Sequence, residues 1–355
     1  MKSRKILFIA LILAKTTLGA EPKLSLEWKR LAPSPNSAGV AAPFAGTSGG
    51  ALIVAGGANF PNAKPWEGGK KVWHDEVFVL EQPDAQWKRA GHLPRRLAYG
   101  VSVSDRDEII CVGGSDEKQH HADVFALTWN GRNIATRTLP SLPRPIANAC
   151  GAVLDRTLYI AGGQLRPDAT NALASFFALN LDDKKSQWRE LPPWPGTPRM
   201  LATAAVQDGA FFVVGGVELF PGESGKPTRR YLRDGFRYDP KGGWRRLADL
   251  PFPVAAAPSP APGVGRNHFL ILGADDGSRA ALPASPTHPG FNAEVLSYDT
   301  ESNSWTRIAT SPAPRVTVPA ISWRDRWIIP SGEMQPGVRS PEVWSVGVSE
   351  RSAGL

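Results

Sequence analysis

An apolar run ending in a glycine pair recurs along this chain, and it narrows the folding options more than any other feature. LIVAGG (52–57), IICVGG (109–114), LYIAGG (158–163) and FFVVGG (211–216) are followed by two degenerate copies, FLILGA (269–274) and WIIPSGE (327–333). With Gly56, Gly113, Gly162, Gly215, Gly273 and Gly332 as markers, the repeat returns every 49–59 residues. Apolar runs this short, bounded by glycine and proline, are strands. Units of this period cannot bury their apolar faces alone and do so by stacking on neighbours. Length alone, 355 residues, suggests about two domains; the repeat argues for one.

Each unit carries further marks in a fixed order. A variable polar stretch follows the glycines, then an alternating strand such as Val77-Phe78-Val79-Leu80 or Phe236-Arg237-Tyr238-Asp239, then a turn and a tryptophan (Trp87, Trp188, Trp244 and Trp305, with Trp129 less regular). A Leu-Pro or Pro-Arg element then opens the next unit: Leu93-Pro94-Arg95, Leu142-Pro143-Arg144, Pro198-Arg199, Pro314-Arg315. The 35 glycines and 33 prolines supply the turns that so many short strands need. Four strands per unit of about 50 residues predict an all-β, six-bladed kelch-type β-propeller. The tryptophans are expected between neighbouring blades. Leu24 to Leu31 reads like the last strand of a unit, with Trp28 in the tryptophan place, and the final unit lacks such a strand. Pairing the two closes the ring and satisfies both sheet edges.

Residues 1–20 read as a secretory signal, leaving residues 21–355 as a single propeller domain. Lys2, Arg4 and Lys5 precede a short apolar run, Ile6 to Ala14, and Leu18-Gly19-Ala20 offers a cleavage site. That run is too short for a membrane span, which needs about 20 apolar residues. Cleavage removes four basic residues and lowers the net charge from +8 to +4. A balance this even, with no Lys/Arg-rich run, argues against nucleic acid as a partner. The expected compartment is the periplasm. Cys111 and Cys150 each lie in an apolar run and read as buried thiols, although an oxidising compartment permits a disulfide.

Propeller topology brings the segments after each glycine pair and the Pro-Arg elements to one face, around the channel mouth. Arg95, Arg96, Arg144, Arg199 and Arg315 make that face basic. Each could pair with a neighbouring blade; together they suggest an anionic ligand, because guanidinium matches carboxylate bidentately. Gly332-Glu333 breaks the repeat by putting a carboxylate where other copies have a second glycine, and Arg339 follows in the same loop. The pair reads either as a salt bridge or as a catalytic carboxylate beside a substrate-binding arginine. The loop of the first unit holds Asn59, Phe60, Trp66, Trp73 and His74, with aromatic faces for a sugar and an imidazole that titrates near neutrality. In a closed ring this loop neighbours Glu333. His120-His121 is too thin for a metal site, and no phosphate-binding loop, nucleophile elbow or zinc spacing is present.

These residues also carry a resemblance. SGEMQPGVRSPEVW (331–344), GVAAPFAGTSGGALIVAGGANF (39–60), EGGKK (67–71) and LAYGVSV (97–103) resemble motifs of the bacterial kelch-propeller N-acetylneuraminate epimerases, or sialic acid mutarotases. Their order, with the Glu loop at the C-terminal end, is similar to that of the cyclically permuted mutarotases. The resemblance implies a mutarotase acting on a small sugar acid without a cofactor. It further implies Glu333 as proton acceptor and Arg339 as its partner. Arg95, Arg144, Arg199, Arg315, Asn59, His74 and Tyr99 are the candidate substrate-binding residues, and His74 or Tyr99 the candidate acid. Two other readings compete: a non-catalytic kelch propeller that binds a glycan or protein on the same face, and a radical copper oxidase. The oxidase needs a Tyr–Cys crosslink, for which neither cysteine has a suitable tyrosine nearby in sequence.

Overall fold

Each glycine-terminated run forms the second strand of a four-stranded antiparallel sheet, and six such sheets make a six-bladed β-propeller. A computed structural model of the chain describes residues 23–222, 225 and 227–351; the signal segment 1–20 lies outside them. Blade 1 comprises Phe44–Ser48, Ala51–Ala55, Glu76–Leu80 and Lys88–His92. Blades 2 to 5 repeat that order, starting at Val101, Cys150, Thr203 and Gly263. The innermost strand of blade 5 shrinks to Gly263–Val264. Pro258, Pro260 and Pro262 precede it and have no N–H to donate to a ladder.

Burial is greatest in the second strand of a blade and least in the outermost. Ala51–Ala55 is buried at every position, whereas Lys88–His92 is largely exposed. The second strand is therefore continuously apolar because a neighbouring blade covers each of its faces. Six apolar clusters fill the six interfaces: Phe44, Ile53, Ile109 and Phe125 between blades 1 and 2, and so around to Ala45, Leu52, Ile321 and Trp323 between blades 6 and 1. The tryptophans tie these interfaces as expected. Indole Nε1 of Trp87, Trp188, Trp244 and Trp305 donates to the carbonyls of Ala32, Pro140, Pro192 and Ala248, at 2.8–3.0 Å. Each acceptor follows the outer strand of the preceding blade.

Ring closure follows the expected route. Blade 6 consists of Ile321–Trp323, Arg326–Pro330, Val343–Arg351 and, as its outer strand, Lys23–Leu31. Lys23 pairs with Arg351 and the register runs unbroken to Leu31 opposite Val343. Trp28 and Trp344 meet edge to face at 6.3 Å.

The glycine pairs solve a problem of close approach. Gly56 and Gly57 have φ of 65° and 90°, and a Cβ on Gly56 would lie 2.5 Å from the Leu97 carbonyl oxygen. The second glycine N–H donates to the neighbouring blade: Gly57 to Leu97, Gly114 to Ile146, Gly163 to Arg199, Gly216 to Val254 and Gly332 to Val40. This alignment corrects the reading of blade 6. Gly332 is the second glycine, and Ser331, at φ 76°, stands in the place of the first. Ser331 is held there by its hydroxyl, which donates towards Val40 and Ser340 carbonyls and accepts the Val40 N–H.

Removing residues 23–31 strips the outer strand from blade 6 and uncovers Trp344 and Val346. The truncated chain is expected to lose its single cooperative thermal transition or to melt at a markedly lower temperature. An unchanged melt would contradict closure by this strand.

Candidate active site

Three sets of equivalent backbone positions surround the channel mouth. The innermost residues, Ala42, Tyr99, Asn148, Leu201, Ala256 and Thr317, all have φ between 49° and 63°. Each donates its N–H to the carbonyl of the preceding one, and Ala42 donates to Thr317, so six bonds of 2.5–3.1 Å form a closed ring. The residue before each pairs with the residue after a glycine pair: Ala58, Ser115, Gln164, Val217, Asp275 and Glu333. Glu333 is thus one position beyond the second glycine, where the chain turns towards the cavity. In blades 1, 2, 4 and 6 that residue pairs again across a hairpin, with Trp73, His120, Tyr231 and Arg339 respectively.

These positions enclose a cavity of about 660 Å³, within the range of about 300–1,000 Å³ that holds small ligands. Glu333 and Arg339 face each other across their hairpin, with Arg339 Nη1 3.1 Å from Glu333 Oε1. The Gly337 N–H donates to the same oxygen at 2.9 Å. The buried Arg339 guanidinium lies 4.9 Å from the Phe60 ring centroid. Lys71 Nζ sits 5.2–5.9 Å from the rings of Tyr99, Trp73 and Phe60. Such faces attract a cation electrostatically, and no ion pair to a carboxylate is formed by Lys71 among the described residues. Met200, Leu201, Leu219 and Ala256 make an apolar stretch of the lining. Beside it, the Tyr231 hydroxyl donates to Asp275 at 2.9 Å. Burial, with Asp275 adding to it, pushes that phenol up to about 12, so Tyr231 stays protonated.

Of the residues singled out from sequence, Glu333, Arg339, Tyr99 and the first-loop aromatics Phe60 and Trp73 line this cavity. Arg95, Arg144, Arg199, Arg315, Asn59 and His74 are not brought to it, and the basic face they were expected to form is corrected accordingly. Arg95 is 3.1 Å from Asp123 and Arg144 is 2.6 Å from Glu190. Arg199 is fully buried, forks onto both oxygens of Asp234 at 3.0 and 2.8 Å, and donates to the Gly215 carbonyl. Arg315 binds Glu342 and Ser340. The Pro-Arg elements are not equivalent in space. Arg95 and Arg144 stand three residues before their blade's bridging residue, Ala98 or Ala147, and Arg199 and Arg315 only one before Met200 or Val316. Neither offset matches a cavity-facing position. His74 Nε2 donates to Asn59 Oδ1 at 2.9 Å, and Asn59 Nδ2 donates to the Gly39 carbonyl and Asn36. Burial holds the His74 imidazole below its ordinary range; this chain of bonds fixes the first loop.

Sequence reasoning passed over Lys71 and His120 as site residues. Both were visible, Lys71 in the EGGKK segment and His120 as half of a histidine pair. What was missing was the repeat's register, which sends His120 to the place that Arg339 takes in blade 6. Cys111 and Cys150 are buried free thiols.

Comparison with known proteins identifies relatives of the chain. The family model described as N-acetylneuraminate epimerase matches residues 13–136 and 139–277. N-acetylneuraminate epimerase 1 of Escherichia coli O6:H1 is 26% identical over 234 residues, which is 58% of this chain and 59% of that protein. The N-acetylneuraminate epimerase of Yersinia pestis (strain Pestoides F) is 28% identical over 236 residues, 60% of this chain and 58% of its own. That of Brucella suis is 38% identical over 107 residues, 27% of each chain. The first two matches span just under three fifths of the relatives' length. The family match ends before residue 333, so the part played by the Glu333–Arg339 hairpin is argued from its geometry.

Reassigning the crossing arginines has a measurable consequence. Arg199→Ala leaves Asp234 and the Gly215 carbonyl without their buried partner and is expected to cost roughly 3–5 kcal/mol of stability. Urea unfolding measures this. A ligand that binds in the cavity should bind the surviving folded Arg199→Ala protein normally; selective loss of binding with intact stability would return Arg199 to the site.

Proposed function

Because the chain belongs to the N-acetylneuraminate epimerase family, we propose that it interconverts the α and β anomers of N-acetylneuraminate in the cavity at the channel mouth. The observation that carries this reading is the Glu333–Arg339 pair at the edge of that cavity, with the cationic Lys71 beside it. Sialic acid bears a carboxylate on its anomeric carbon, so a site for it needs cations close to a proton acceptor. Arg339 and Lys71 supply the charge, and the apolar stretch around Leu201 and Leu219 suits the methyl of the N-acetyl group.

Mutarotation takes the proton from the anomeric hydroxyl, opens the ring to a ketone and recloses it on the opposite face. Glu333 acts as the base. Its Oε1 accepts the Gly337 N–H and lies in ion-pair contact with Arg339, which orients the carboxylate and leaves Oε2 for the substrate. The reaction moves protons and one C–O bond without a change of oxidation state, so the proposed chemistry calls on no cofactor. Export to the periplasm, as residues 1–20 suggest, would let the enzyme act on freshly released α anomer before its uptake.

Glu333→Gln keeps the shape of the side chain and removes the base. Anomerisation followed by proton NMR should slow by about 10²–10⁴-fold with the thermal melt unchanged. Arg339→Lys keeps the charge but loses the planar fork, and should raise KM more than it lowers stability. A fully active Glu333→Gln protein would contradict the catalytic assignment and favour a non-catalytic propeller that binds a glycan or protein on this face.

A further inference from the structure

The mutarotase reading needs a second proton-transfer group, since the ring oxygen must gain a proton as its bond to the anomeric carbon breaks. His74 does not line the cavity, being held by Asn59. Tyr99 lines it but lies against Lys71. A third group is present. His120 lines the same cavity as Glu333, is only 7% exposed, and has no well-aligned hydrogen bond on either ring nitrogen, with only the Gln164 side chain and the Gln119 backbone near enough to favour its charged form. A buried imidazole with both nitrogens poorly paired carries a largely uncompensated desolvation cost; one facing a cavity can have that cost offset by a ligand. Its neighbour shows the contrast, because His121 is fixed by Asp116 at 2.7 Å and by Arg95.

From this placement we infer that His120 is the proton donor to the sugar's ring oxygen, two blades around the channel from Glu333. The assignment rests on the mutarotase reading of the same site. In the free protein burial pushes the imidazole down to about 4, against smaller opposing effects of the Gln164 side chain, the Gln119 backbone and the Asp116 charge, so it is neutral. The charged groups lining the cavity with it are Lys71, Arg229 and Arg339 on one side of the balance and Asp116, Glu117, Asp275 and Glu333 on the other. An anionic sugar seated there adds the negative charge that favours imidazolium, and His120 takes a proton from solvent as the ligand binds. Glu333 then removes the anomeric hydroxyl proton, and the O–H electrons form the ketone C=O. The ring C–O bond breaks with its pair going to the ring oxygen, which receives the His120 proton. Reclosure reverses each transfer on the other face and returns both residues to their starting states.

The test uses the full chain, N-acetylneuraminate as substrate and proton NMR as readout, with His120→Gln and His120→Ala. Both variants should lose about 10²–10⁴-fold in kcat with little change in KM and an unchanged melt. Added imidazole should restore at least tenfold of the lost rate to His120→Ala, because a small base can enter the space the side chain leaves. Wild-type rates in both variants, a change confined to KM, or loss of rate in step with loss of the folded state would overturn the assignment. Full activity of His120→Ala beside an inactive Glu333→Gln would remove His120 alone. A folded wild-type protein that does not speed anomerisation would instead remove the mutarotase reading.

Discussion

Six peptide hydrogen bonds run head to tail around the axis of this molecule, from Ala42 to Thr317, through Ala256, Leu201, Asn148 and Tyr99, and back to Ala42. Each joins one blade to the next, and each is made by a non-glycine residue at positive φ. That conformation costs about 1–2 kcal/mol, while a hydrogen bond returns a net of about 1 kcal/mol. The ring therefore adds little stability of its own. Cohesion comes from the apolar clusters between blades; the ring sets their angular spacing and aims six side chains at the channel mouth. Its closing bond, Ala42 to Thr317, joins the last blade to the first. The nine-residue strand Lys23–Leu31 anchors the N-terminal end of that junction in blade 6.

With the backbone geometry repeated, chemistry at the site becomes a matter of which residue occupies equivalent positions. The place after the glycine pair holds Ala58, Ser115, Gln164, Val217, Asp275 and Glu333, and the hairpin place holds Trp73, His120, Tyr231 and Arg339. One symmetric frame thus carries a carboxylate with its arginine, an imidazole and an aromatic wall to the same cavity, and a phenol to the space beside it. Sites built on paired backbone rather than free loops hold their geometry closely. The Glu333–Arg339 hairpin and the Ser115–His120 bridge are such pairings.

The repeat, the blade count, the strand that closes the ring and the inter-blade tryptophans were all legible in the sequence, because each has a backbone or packing cause that leaves a residue-type signature. That Glu333 and Arg339 share one loop was legible too, and the structure pairs them at the cavity, with Glu333 one place further along the repeat than the glycine alignment gave. Ser331 replaces a glycine at positive φ, which no composition rule anticipates; only its hydroxyl bonds to Val40 and Ser340 explain it. The crossing arginines misled for a related reason. Pro-Arg at 198–199 and Leu-Pro-Arg at 93–95 look alike, yet they differ in offset from the bridging residue, and offset decides which way a side chain leaves the strand. Arg199 consequently disappears between blades, where Trp194 and Phe236 flank it. His120 was visible only as a residue type. What marks it out in the structure is the lack of a well-aligned hydrogen bond at either ring nitrogen, a property of its surroundings.

Whether the channel mouth catalyses anomer exchange of a sugar acid can be read directly. Proton NMR of freshly released α-N-acetylneuraminate, with and without a catalytic amount of the wild-type protein, follows both anomers as they equilibrate. A mutarotase should shorten the approach to equilibrium by about a hundredfold or more, in proportion to its concentration, while leaving the final anomer ratio unchanged. An approach to equilibrium no faster than in buffer alone, from protein shown to be folded, would contradict the mutarotase reading.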